Sequence, residues 1–176
     1  MRFEVSDPIP FEIGEAYRIL RDNMAELVPF LDDTESISVE RREETEDGVK
    51  LTNKWQASMH KIPGALRSFV KPEMLSWYDH VVWTDHDRTG RWQLEAIGSE
   101  KLFSCHGETS VVELGDKTLL KIIINFEVYP EKVPGIPKFL AKKISGQIEK
   151  LIGEVLGSNM RQMAVSMTNY SEHKKG

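Results

Sequence analysis

Cysteine is nearly absent. Cys105 is the single one among 176 residues, so no internal disulfide can form, and a reducing cytoplasm is the expected setting. No apolar run approaches the roughly 20 residues that span a bilayer, so an integral membrane protein is not expected. The start, Met1-Arg2-Phe3-Glu4, lacks the apolar stretch and small-residue cleavage site of a signal peptide. Basic residues are not in excess either. A net charge of −5 argues against a nucleic-acid partner, and Lys142–Lys143 and Lys174–Lys175 are too short to reverse that. The chain has no phosphate-cradling glycine loop, no nucleophile elbow, no internal repeat and no low-complexity tract, and no cofactor is expected.

What is present is ordinary for a soluble globular chain, with 40% hydrophobic and 29% charged residues, and the length allows one domain with a sizeable core. The most informative stretch runs from about Pro137 to Tyr170. Its apolar residues, Leu140, Ile144, Ile148, Leu151, Val155 and Met163 among them, recur at three- and four-residue spacings and fill one arc of a helix. Lys143, Lys150, Glu154 and Arg161 fall on the opposite side. Gly146, Gly153 and Gly157 gather at the edge of the apolar arc beside Ala164. Each costs about 1 kcal/mol against alanine, which points to close approach by a neighbour, through either tight helix-on-sheet packing or space for a ligand.

In chain order, Phe3-Glu4-Val5 suits a short strand that Asp7-Pro8-Ile9-Pro10 ends. Ile13, Ala16, Tyr17, Leu20, Met24 and Leu27 then share a helical face until Pro29, and Phe30–Asp33 suits a second helical turn. Ser36–Glu46 and Val49–Ser58 flank Asp47-Gly48, a hairpin signal. In the second of these strands Val49, Leu51, Asn53, Trp55 and Ala57 face one way and Lys50, Thr52, Lys54 and Gln56 the other. Further strands are predicted at Trp77–Thr84, Arg91–Ile97, Leu102–Leu114 and Thr118–Tyr129, with Gly107 as a bulge in the third of them. A curved antiparallel sheet needs its apolar side covered, and the final helix is the only element long enough, which gives an α+β fold in which the sheet wraps a helix.

This order resembles the START-like, or Bet v 1-like, helix-grip superfamily, also known as the polyketide cyclase and lipid-transport group. Two local patterns are similar to an uncharacterised bacterial branch of it: Ile62-Pro63-Gly64-Ala65-Leu66-Arg67-Ser68-Phe69-Val70 followed by Trp77, and Val133-Pro134-Gly135-Ile136-Pro137 leading into Ile144-Ser145-Gly146-Gln147-Ile148-Glu149. The resemblance implies a single START-like domain over residues 1–170, with 171–176 as a polar tail. It also implies a cavity between the sheet and the C-terminal helix. Members of the superfamily bind lipids, sterols, quinones or hormones, cyclise polyketides or assist chaperones, so the fold does not fix the function.

The sequence supplies a lining for such a cavity. Asn53, Trp55, Trp83, Trp92, Leu94 and Phe103 come from the earlier strands, and Ile122, Ile124 and Phe126 from the last. Leu140, Ile144, Ile148 and Leu151 come from the helix. A solid core would use the same alternation, so both arrangements stay open. The expected partner is a hydrophobic small molecule or lipid, bound by a monomer or homodimer.

Asp79, His80 and His106 are the candidate acid–base residues of an alternative, cyclase- or dehydratase-like reading, and Asn53 and Arg41 are further strand polar groups. Trp77, Val81 and Trp83 favour one face, which takes Asp79 inward and leaves His80 outside. Asp85-His86-Asp87 lies in a turn without the partners of a metal shell, and Cys105 and His106 point to opposite faces, so neither forms a reactive set. Ile62, Leu66, Phe69 and Val70 within Met59–Leu75 suit a lid over the cavity, a segment packed permanently on the sheet, or a dimer contact. A protein-interaction module is the third functional reading; its sign is a large exposed apolar patch.

Overall fold

A computed structural model describes residues 1–59, 75–97, 103–129, 132, 146 and 160–175. Seven strands form one curved antiparallel sheet: β1 (Arg2–Ile9), β2 (Thr34–Thr45), β3 (Gly48–Ala57), β4 (Ser76–Thr84), β5 (Thr89–Ala96), β6 (Phe103–Leu114) and β7 (Lys117–Val128). Their order across the sheet is β1-β7-β6-β5-β4-β3-β2. β2 to β7 is therefore a meander of neighbours, and β1 closes onto the last strand.

Between β1 and β2 lie helix α1 (Ile13–Asp22) and a 3-10 helix, Met24–Phe30. α1 buries Ala16, Tyr17, Ile19 and Leu20, positions at helical spacing, against the sheet. The C-terminal helix is described over residues 160–175. It buries Met160, Ala164, Met167 and Ser171 at spacings of four, three and four, which places one stripe on the core. Ser166, fully buried, donates to the carbonyl of Phe30 at 2.7 Å and so ties this helix to the 3-10 helix. Tyr170 packs its ring against Phe11 and Phe30, and its hydroxyl bonds to Glu26.

Several sequence expectations are corrected. Pro8 does not end β1, which continues to Ile9. β1 is an edge strand, where a missing N–H can face away from the ladder. The second helical piece spans Met24–Phe30 and contains Pro29, rather than beginning at Phe30. Gly107 is not a bulge, because pairing runs through it without a register shift on both sides. Among the described residues nothing lies within 4 Å of where a β-carbon of Gly146 would be; Gly153 and Gly157 lie outside the described residues. The Asp47-Gly48 hairpin and the alternation of β3 are as expected, with Val49, Leu51 and Asn53 buried and Lys50 and Lys54 exposed.

The far edge, β2, is exposed over Val39–Glu44 and carries Glu40, Arg41, Arg42, Glu43 and Glu44. Its pairing is also interrupted by register shifts at Thr34/Ser36 and Val39/Arg41. Charge and irregularity together disfavour edge-to-edge pairing with another chain.

Candidate binding cavity

All four tryptophans of the chain meet on the inner face of β3, β4 and β5. Strand alternation is the cause: Trp55 on β3, Trp77 and Trp83 on β4 and Trp92 on β5 each share parity with the core positions of their strand. They wall a cavity of about 200 Å3. Its other described walls are Leu20 and Met24 from the helical pair, Val81, Leu94, Thr109, Ile122 and Ile124 from the sheet, and Met160 and Met163 from the C-terminal helix.

The tryptophans are held by specific contacts. Trp55 and Trp77 are register partners and stack with centroids 6.0 Å apart. Tyr17 meets the Trp83 ring edge-on at 5.5 Å. The Trp92 indole donates to Thr109 Oγ1 at 3.1 Å. The indole N–H groups of Trp55 and Trp83, by contrast, are buried with no hydrogen-bond partner among the described residues. α1 is fixed over Trp83 by its own polar clamp. Tyr17 and Arg21 both donate to Asp85 Oδ1 at 2.7 Å, while Asp22 accepts from Arg21 and from Arg42 of β2.

Two polar side chains enter the apolar wall. Asn53 and Asp79 are register partners on β3 and β4, and Asn53 Nδ2 donates to Asp79 Oδ2 at 3.3 Å. Asp79 as a residue is half-buried, but its Oδ1 is sealed and has no partner among the described residues. Burial pushes this carboxyl up to about 6. The Asn53 bond, the neighbouring His80 charge and the Trp55 indole act in the opposite direction and do not cancel it, the indole without making a proper hydrogen bond. Cys105, across Leu94 from Asp79, is 2% exposed; burial first, and then the Asp79 charge, push its thiol up to about 12. A thiol so protonated is inert.

Of the expected lining residues, Asn53, Trp55, Trp83, Trp92, Leu94, Ile122 and Ile124 meet at the cavity. Phe103 and Phe126 stack on each other at 5.6 Å on the same side of the sheet and are not part of its wall. Leu140, Ile144, Ile148, Leu151 and the lid residues Ile62, Leu66, Phe69 and Val70 lie outside the described residues. Asp79 faces inward. His80 is on the outer face, bonded to Glu95 at 2.7 Å, and His106 is exposed on the same outer face. Arg41 is also exposed and pairs with Glu43. Asp85 is engaged by Tyr17 and Arg21, and Asp87 by Arg91. Sequence reasoning did not assign Trp77 or Thr109 to the cavity, although both follow from strand parity. Leu20 and Met24 were legible only as a helical face, because which part of the sheet that face covers is a tertiary fact.

A family model described as "Protein of unknown function (DUF2505)" matches residues 5–157. The chain belongs to the DUF2505 family. No curated protein matches this DUF2505 member. Among solved structures, protein TTHA0849 from Thermus thermophilus is similar over all of both chains, at 18% identity and a TM-score of 0.73. The Zhui aromatase/cyclase from Streptomyces sp. R1128 is similar over 100% of this chain and 96% of its own, at 10% identity and a TM-score of 0.66. A START superfamily protein from Mycobacterium smegmatis is similar over 92% and 98%, at 15% identity and a TM-score of 0.51. The DUF2505 member thus has the START-like, Bet v 1-like helix-grip fold, as the element order implied. Among its described residues no helix is long and apolar enough to cross a membrane.

Proposed function

We propose that this protein binds a hydrophobic small molecule or lipid in the tryptophan-walled cavity, for sequestration or transfer. One observation carries the reading: an apolar cavity of about 200 Å3 is lined by Asp79, Trp55 and Trp83, whose buried carboxylate Oδ1 and indole N–H groups have no hydrogen-bond partner among the described residues. Buried polar groups are nearly always satisfied, and leaving one unmade costs about 1–3 kcal/mol. A ligand that shifts a wall side chain and so reaches them would recover that cost. The fold likeness is compatible with binding and with catalysis and does not choose between them.

A second reading is favoured by Asp79 alone. A carboxyl lifted to about 6 is matched to proton transfer near neutral pH, so a cyclase- or dehydratase-like reaction would use Asp79 as its acid–base group. His80 and His106, on the outer face, have no part in this version. On either reading the chain acts as one domain, to which the helical residues 171–175 belong, in the cytoplasm, as a monomer or homodimer and without a cofactor.

Native mass spectrometry of the freshly purified protein, with organic extraction of what it carries, tests the binding reading. A defined lipophilic adduct is the expected result. A clean apo mass, together with no response of the tryptophan fluorescence to lipophilic probes, overturns it. Conversion of a bound compound by the wild type but not by Asp79→Asn would decide for the enzyme.

A further inference from the structure

Asp79 is a carboxylate without a counter-ion among the described residues. The groups that act on it are Asn53 and Trp55 on β3 and His80, its neighbour in sequence, on the far side of the sheet; Cys105 on β6 senses its charge. No lysine or arginine is among them. A buried anion in an apolar site is costly unless paired; Asp79 lines the cavity, and its Oδ1 has no hydrogen-bond partner among the described residues. The surrounding walls are indole rings, and tryptophan offers the strongest face for a cation. Further walls, Leu20, Met24, Leu94, Ile122 and Ile124 among them, suit an apolar body.

We infer that the ligand of this cavity is a small lipophilic amine, bound as the ammonium with its N–H directed at the Asp79 carboxylate and its apolar body among the tryptophans. This rests on the cavity being a binding site, as proposed above, and specifies the chemistry it takes. A carboxylate ligand is disfavoured by like charge at Asp79, and a neutral alcohol can donate a hydrogen bond but cannot neutralise the buried anion. Size narrows the class further. A cavity of about 150 Å3 accommodates benzene; one of about 200 Å3 holds a single ring with a short side chain.

Isothermal titration of the full chain with phenethylamine, phenethyl alcohol and hydrocinnamate, at about pH 8 and about pH 5, tests this. The amine is expected to bind at least about tenfold more tightly than the alcohol at the higher pH, with hydrocinnamate weakest. Asp79→Asn should bring the amine's affinity down to that of the alcohol measured on the same variant. Lowering the pH should remove it in the wild type as Asp79 is protonated, a measurement that needs no variant to fold. An alcohol or hydrocinnamate that matches the amine overturns the inference and leaves the binding reading intact. So does an amine preference that survives Asp79→Asn or the lower pH. Failure of all three probes to bind overturns both.

Discussion

The indole of Trp92 lies across Gly107, its register partner on β6, so closely that a β-carbon at residue 107 would come within 2.6 Å of the ring. The same position would put that carbon 2.0 Å from the carbonyl oxygen of Ile123. One strand over, Trp83 covers Gly90, where an added carbon would meet the ring at 2.8 Å. Both glycines leave room for a tryptophan that walls the cavity, which is a known meaning of glycine inside a strand.

Gly107→Ala should therefore destabilise the fold by about 2–4 kcal/mol, since both a backbone oxygen and an aromatic ring must move. Gly90→Ala should cost less, about 1–3 kcal/mol, because its nearest contacts are side-chain atoms alone. Urea midpoints measured with an unchanged m-value would check the order; equal midpoints for Gly107→Ala and wild type would contradict the packing described.

Asp79 makes stability depend on pH in an unusual direction for a carboxylate. Its folded value, about 6, lies above its ordinary one, so between roughly pH 4 and 6 the folded state holds the proton more tightly than the unfolded state. The cost of burying the anion is full above that window and disappears as pH falls through it. Asp79→Asn should stabilise the apo protein by about 2–3 kcal/mol at pH 7 and by little near pH 4. Asp22, held below the usual carboxylate range by its bonds to Arg21 and Arg42, acts in the opposite sense, so the difference between wild type and variant across pH is the quantity to measure. A difference that does not change with pH would count against a raised Asp79.

Thr109→Val should leave the Trp92 N–H without its acceptor at nearly constant side-chain volume. A loss of about 1–3 kcal/mol is expected, with a shift of tryptophan emission. Stability equal to wild type would mean that the bond contributes nothing net.

Tyr17→Phe keeps the edge-on contact with Trp83 and removes the hydroxyl that donates to Asp85. Arg21 still reaches the same carboxylate oxygen, so the loss should be limited to about 1 kcal/mol in thermal or urea unfolding. A loss above that of Thr109→Val would show the hydroxyl to be the stronger tie.

The strands were legible because their alternation is strict: Val49, Leu51, Asn53 and Trp55 on β3, and Leu120, Ile122, Ile124 and Phe126 on β7, announce one buried face each. The inward turn of Asp79 followed from the same parity. Pro8 misled because its effect depends on whether a strand has one neighbour or two, and edge position is a property of the whole sheet. Gly107 misled for a related reason: bulge and close approach leave the same residue in the sequence, and only the ring of Trp92 on the adjacent strand distinguishes them. Phe103 and Phe126 share a face with the cavity residues, yet they satisfy each other. Parity assigns a side, not a place along it.

The pairing of β1 with β7 has a consequence for how the chain is made. The amino group of Met1 donates to the carbonyl of Phe126, 125 positions away, and among the described strands β1 has no neighbour other than β7. During translation the meander from β2 onward can assemble strand by strand, because each new strand finds its partner already present. β1 cannot; it emerges before the other described strands, and its partner among them, β7, is the last to leave the ribosome. So long-range a contact forms slowly, and an unpaired strand edge invites association with other chains. Arg2, Glu4 and Asp7 keep that waiting segment charged, and Pro8 withholds one donor from any stray partner.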